Sequence, residues 1–260
     1  MKNTIPLFLG RIEDEAIINP DEEYEYEKSV GIAPDKKYPE SCIICFQDEV
    51  IQAAKRFYKL SLLEKMLDCE LFELKSGNKT LGIIKSGIGA PCSALITERL
   101  IARGFVEFII IGIAGSLDPN LEPGSLVLVE KSLRDEGTSY HYYERGSEFC
   151  YADVDTTKRI KKNLEKDGIR YDTGSSWTTD AGYRETKKKA EHFRSIGIKA
   201  VDMESSALFA ISKFRGVRMG CIFSVSDSFT ASLSWNPHFH LKEIVNELEK
   251  ALKVSVKTLS

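Results

Sequence analysis

The run "FIIIGIAG", residues 108–115, sets the architecture of this chain. Phe108, Ile109, Ile110 and Ile111 follow one another without a polar residue, and Gly112, Ala114 and Gly115 close the run with small side chains. A strand with one wet face alternates apolar with polar residues, whereas one apolar at every position is covered on both faces. Working outward, "CIICF" (42–46) has the same character, and "GSLVLVE" (124–130) and "MGCIFSVSD" (219–227) have β-forming composition. Between these runs the pattern predicts helices over Asp48–Leu67, Ala90–Arg103, Thr156–Lys166, Arg184–Ser195, Glu204–Phe214 and Phe239–Lys257. Glycine recurs just past several of them, at Gly104, Gly168, Gly197 and Gly216, as a helix C-terminus prefers. Strands alternating with helices of this length give an α/β domain with a mostly parallel or mixed sheet, covered on both faces. In such sheets ligands gather at the carboxyl ends of the strands.

Composition narrows the function classes. A chain of 260 residues with 42% hydrophobic content builds one sizeable core. With 36 basic against 39 acidic residues and a net charge of -3, neither a nucleic-acid partner nor a membrane surface is indicated, and a small neutral or anionic ligand is expected. No run reaches the length of a membrane span. The six cysteines are scattered and no signal-peptide pattern opens the chain, which reads as cytoplasmic. Cys42 and Cys45 have the spacing of half a zinc site, but no second Cys or His pair matches it, so they read as two reduced thiols on a buried strand.

Residues 1–40 stand apart from the domain expected over 41–260. The segment is acidic, rich in Tyr and Pro, and lacks a sustained period, so it reads as a solvated arm lying over the domain or over a neighbouring subunit.

Chemistry concentrates in five short motifs. "SGIGAP" (86–91) is a tight turn that lets a backbone approach a ligand ahead of a helix N-terminus, without the spacing of a dinucleotide fingerprint or a P-loop. "GIAGSL" (112–117), "TTDAGYRET" (178–186), "VDMESSALFAIS" (201–212) and "SVSD" (224–227) follow. In that order, over about residues 41–255, they resemble the nucleoside phosphorylase and nucleosidase family. The resemblance implies a single-domain three-layer sandwich around a central mixed sheet, a nucleoside ligand, no metal or organic cofactor, and a homo-oligomer, dimeric or hexameric.

It also implies roles. Glu204 takes the place of the acid that accepts hydrogen bonds from the ribose hydroxyls, Met203 packs under the sugar, and Asp202 is a shortened form of a Glu beside them. Ser86 and Gly87 sit close to the sugar. A carboxylate suits this place because it accepts two hydroxyls and offsets the positive charge of an oxocarbenium-like transition state. Asp227 matches the acid that, in purine-acting members, protonates the leaving base. The uracil-reading Gln of pyrimidine members has no match before Arg184, so a purine-like base is favoured and a modified one such as a 7-deazapurine stays open. Trp177 is the candidate stacking platform, with a core role as the alternative, and Tyr183 and Arg184 belong to the same base region. Asp180 reads as structural.

The acceptor is where the chain departs from phosphorolytic members. Their phosphate arginines have no counterpart in "CFQDEVIQ" (45–52) or at Ile110, Gly112 and Ile113. Hydrolytic members place a water-activating Glu just before a Val, which matches Glu49 before Val50, with Asp48 as fallback; an acid at a helix N-terminus is the alternative reading of both. Hydrolysis is therefore expected, with phosphorolysis as the rival if Arg134 turned inward or a neighbouring subunit supplied an arginine. A non-catalytic nucleoside sensor is the second alternative. His141 takes no role.

Overall fold

The computed structural model describes residues 12, 14–144, 146–229, 234–239 and 241–260. Among the described residues seven helices run α1 (Pro20–Ser29), α2 (Asp48–Phe57), α3 (Ala90–Ala102), α4 (Val154–Lys166), α5 (Lys187–Ser195), α6 (Ser205–Arg215) and α7 (Lys242–Leu259). The strands are β1 (Ser41–Cys45), β2 (Lys59–Met66), β3 (Cys69–Ser76), β4 (Lys79–Lys85), β5 (Glu107–Ser116), β6 (Leu126–Asp135), β7 (Phe149–Tyr151), β8 (Asp172–Thr179), β9 (Ile198–Asp202), β10 (Arg218–Phe229) and β11 (Trp235–Pro237). They form one mixed sheet, and short 3-10 turns occupy Thr138–His141 and Gly182–Arg184.

The apolar run 108–115 lies at the centre of this sheet. Along one side β5 pairs in parallel with β10, Ile110 opposite Cys221. On its other side β1 pairs with its first half, Ile110 opposite Ile44, and β9 takes over at the end, Gly115 opposite Val201. Because β9 continues through β8 and β6 back to β10, the strands β5, β10, β6, β8 and β9 close on themselves, while β1, β4, β3 and β2 run out as an open wing. The change of partner along β5, from β1 to β9, is the kind of switch point at which open α/β sheets bind ligands.

Helices cover both faces. Val50, Ile160, Leu164, Leu248 and Leu252 of α2, α4 and α7 pack on one, and Tyr24, Ile96, Leu100, Leu208 and Phe209 of α1, α3 and α6 on the other. All six cysteines are free, and burial pushes the thiols of Cys42 and Cys45 up, away from thiolate chemistry. Among the described residues no helix is long and apolar enough to cross a membrane.

Two sequence expectations are corrected. The helix expected over Asp48–Leu67 ends at Phe57, and Lys59–Met66 is strand β2, paired antiparallel with β3 at the edge of the wing. A bulge between Leu62 and Glu64 breaks its alternation, so the apolar residues around it mimic a helical period. The segment before residue 41 is not a solvated arm where it is described. It contains α1, capped by Asn19, whose Tyr24 is buried and whose Glu23 and Glu27 pair with Arg99 of α3. Arg103 joins Glu27 to Glu64 at 2.9 and 2.5 Å, so a buried ionic cluster fastens this segment to the domain. Residues 1–11 and 13 of the expected arm lie outside the described residues.

Candidate active site

The two acids of "VDMESS" have different tasks. Asp202 ends β9 with its carboxylate turned inward: Oδ1 accepts the backbone N–H groups of Glu204 and Ser205, each at 2.7 Å, and Oδ2 accepts the hydroxyls of Ser205 at 2.6 Å and of Ser176. A carboxylate over the first N–H groups of α6 supplies what the helix N-terminus lacks. The sugar contact expected of Asp202 is thus corrected, since its acceptors are taken by the fold. Burial raises the Asp202 carboxyl above the usual range, with these hydrogen bonds opposing the shift.

Glu204, held by that clamp, points elsewhere. Its Oε1 accepts the backbone N–H of Gly89 at 2.7 Å, bringing the "SGIG" turn against α6 across 115 residues of sequence. Gly89 has φ +99°, which an L side chain rarely adopts. In the same turn the Ser86 N–H bonds Cys45 O at 2.8 Å, and Gly87 leaves no room for a Cβ, which would stand 2.6 Å from Cys92 Sγ. Burial and the Asp202 charge push the Glu204 carboxyl up to about 8. Met203 is half-buried beside it.

Asp227 arrives from the other side of β5. A bulge between Val225 and Asp227 shifts the register of β10 and re-aims the side chain, whose Oδ1 accepts Ser226 Oγ at 2.7 Å and Oδ2 accepts Trp235 Nε1 at 2.8 Å. Gly115 makes the space: a Cβ there would lie 3.2 Å from Asp227 Oδ2 and 2.9 Å from Val201 Cγ1. Val201, Gly115 and Asp227 form one lateral row across three strands. At about 4.8 Å per strand the Cα atoms of Val201 and Asp227 are about 10 Å apart. Glu204 lies three residues past Val201, where it meets the Ser86–Gly89 turn.

Other expected contacts fare differently. Trp177 is fully buried, donates Nε1 to Asp135 at 2.9 Å and packs on Phe193 at 4.7 Å between ring centroids. It has no free face, and the stacking platform is corrected to a core residue. Tyr183 and Arg184 are exposed on the 3-10 turn. That turn instead brings the half-buried Glu185 toward Asp227, and burial together with the Asp227 charge pushes its carboxyl up to about 7. Nothing local in the sequence marks Glu185, a loop acid, as half-buried. Asp180 accepts the Gly137 N–H at 2.8 Å and ties two loops.

Arg134 is buried and committed. Its guanidinium donates to Ser139 Oγ at 2.9 Å and to the carbonyls of Glu144 and Ser147 at 2.6 and 2.8 Å, and lies over the Tyr140 ring. It shapes the loop after β6 and does not supply an anion site. In the first loop Glu49 is exposed in the opening turn of α2, and Asp48 pairs with Lys85 Nζ at 2.8 Å.

The sequence and the fold have counterparts among known proteins. The family model of the phosphorylase superfamily matches residues 42–259. The chain belongs to the phosphorylase superfamily. Superfamily relatives include a uridine phosphorylase of Thermococcus kodakarensis, 28% identical over 56% of this chain and 57% of its own length. A guanosine phosphorylase of Halorubrum lacusprofundi is 28% identical over 58% of this chain and 62% of its own. The chain thus spans about three fifths of the length of these relatives. Among solved structures of the superfamily, uridine phosphorylase from Vibrio fischeri shares the fold with a TM-score of 0.76 at 24% identity, over 87% of this chain and 94% of that one. Purine nucleoside phosphorylase from Toxoplasma gondii, in complex with immucillin-H, does so with a TM-score of 0.77 at 20% identity, over 86% and 90%.

Proposed function

We propose that this chain cleaves the N-glycosidic bond of a purine-like nucleoside by phosphorolysis, releasing the base and the sugar 1-phosphate. The placement of Glu204 just past β9 and of Asp227 on β10, the two strands that flank the end of β5 at Gly115, supports the reading, because a nucleoside held there would meet both acids. Glu204 accepts the ribose hydroxyls, Met203 lies under the sugar, and the Ser86–Gly87 turn closes over it. Ribose hydroxyls are donors, and donors favour the ionised form of a carboxyl that burial has pushed up to about 8, so binding charges Glu204 as the sugar becomes cationic. The Asp227 side takes the base. Phosphate as acceptor is supported by the uridine and guanosine phosphorylases among the relatives.

Hydrolysis is the second reading, favoured by a specific observation: Arg134 is spent on loop carbonyls and apolar Ile110 and Ile113 stand at the β5 positions. Water activated by Glu49 at the start of α2 is the route it requires. Lys85 is the cation at this edge that phosphorolysis would draw from its pairing with Asp48. Incubating the protein with purine and pyrimidine nucleosides, with and without phosphate, tests both. Phosphate-dependent ribose 1-phosphate supports phosphorolysis, free ribose without phosphate supports hydrolysis, and no base release with either eliminates both.

A further inference from the structure

The acid near the end of β10 is held by a residue from outside the closed ring of strands. Strand β11 pairs antiparallel with β10, Phe229 opposite Trp235 and Asp227 opposite Pro237. Side chains two residues apart on a strand share a face, so Trp235 is the diagonal neighbour of Asp227, within reach of a long side chain. The indole uses that reach: its Nε1 donates to Asp227 Oδ2 at 2.8 Å. All three residues of β11 are exposed, Trp235 to 59%, so the strand adds little to the core. Trp177, by contrast, is fully buried. Beyond a ring contact with Phe239, 6.1 Å between centroids, the bond to the buried Asp227 is what this tryptophan supplies.

The two oxygens of Asp227 have partners of different kinds. An indole N–H donates and never accepts, so Oδ2 has to remain an acceptor. A hydroxyl can turn: Ser226 Oγ lies 2.7 Å from Asp227 Oδ1 and 3.3 Å from Ala114 O, and its one hydrogen serves either. Oδ1 can therefore carry a proton while Ser226 turns to Ala114, whereas a proton on Oδ2 would compete with the indole. We propose that Trp235 is a positioning residue that fixes the Asp227 carboxyl and assigns its transferable proton to Oδ1, from which the leaving base takes it. The inference deepens the proposed glycosidic cleavage and rests on it. The bond between the anomeric carbon and the base nitrogen breaks with its electron pair passing to the base. The Oδ1–H bond breaks as an N–H bond forms on a ring nitrogen, so the base departs neutral and Asp227 is left as a carboxylate. The Ser226 hydroxyl then turns back to Oδ1, and with Trp235 on Oδ2 both oxygens of the new anion accept a charge-assisted bond. Phosphate or water closes the sugar, and solvent returns the proton to Asp227.

The test measures kcat and KM for the wild type, Trp235→Phe, Asp227→Ala and the double variant. The substrates are guanosine or inosine and their 7-methyl counterparts, whose cationic base leaves without a proton. Trp235→Phe keeps an aromatic ring and removes the N–H. With guanosine it should lower kcat by about 10- to 100-fold, the cost of a misplaced catalytic group, and leave KM little changed. With 7-methylguanosine it should lose far less, and that turnover also shows the variant to be folded. In the Asp227→Ala background the same change should cost nothing further, because the two residues act as one unit. An unaltered kcat on guanosine, equal losses on both substrates, a rise in KM alone or additive losses in the double variant would each overturn the assignment. Turnover confined to pyrimidine nucleosides would overturn it too while leaving glycosidic cleavage standing. No turnover of any nucleoside by the wild type would remove the glycosidic reading and this inference with it.

Discussion

Replacing Glu204 with Gln changes how stability depends on pH, and the size of the change follows from burial. In the folded protein the Glu204 carboxyl is pushed up to about 8 by burial and by Asp202, from an ordinary value of 4.5. Between these values the folded state holds a proton that the unfolded state has released, so the unfolded chain binds fewer protons and stability falls as pH rises. The contribution is fully present below pH 4.5 and lost by about pH 8. Each pH unit within this window is worth about 1.4 kcal/mol. From pH 5.5 to 7.5 the wild type should therefore lose about 2–3 kcal/mol more than Glu204→Gln, which has no proton to release there. Glu185 titrates in both proteins and cancels from the comparison. Urea unfolding at one protein concentration, repeated at half-unit pH steps, reads the difference directly. Parallel stability curves for the two proteins would show that Glu204 is not an enclosed acid, and the sugar-anchor argument would fail with it.

Gly115→Ala places a Cβ 2.9 Å from Val201 Cγ1 and 3.2 Å from Asp227 Oδ2. A displaced Asp227 should cost about 10- to 100-fold in kcat/KM, measured with any nucleoside the wild type cleaves; unchanged kcat/KM would mean that Asp227 does not touch the base. Trp177→Phe removes the bond to Asp135 and leaves a small void, so stability should fall by about 1–3 kcal/mol with KM unmoved, and a large rise in KM would restore the stacking role. Arg134→Gln unties the carbonyls of Glu144 and Ser147, so its effect should appear as a lower melting temperature while the KM for phosphate is unchanged in the folded variant. A selective rise in that KM would return Arg134 to the anion site.

The legible parts of this protein are those governed by neighbours in sequence. The uninterrupted apolar runs of β1 and β5 predict strands covered on both faces, and they are so covered, because a chain apolar at every position has no wet side to offer. The five-motif order led to the family, and Glu204 and Asp227 were named from it. The alternation of β2 is broken by its bulge, and α1 has a weakly apolar face whose partners, Arg99 and Arg103, lie over seventy residues on, so neither element announces itself locally.

Tertiary structure alone separated residues that look alike on paper. Asp202 and Glu204 are two acids separated by a single residue, yet the first serves the N-terminus of α6 and the second the Ser86–Gly89 turn, and the hydroxyl of Ser176 and the N–H of Gly89 draw that distinction. Trp177 became core and Glu185 became enclosed for the same reason. Residue types and spacing carry the periods of helices and strands, which are short-range. Burial, pKa and hydrogen-bond partnership belong to groups that only closure of β5, β10, β6, β8 and β9 brings into contact.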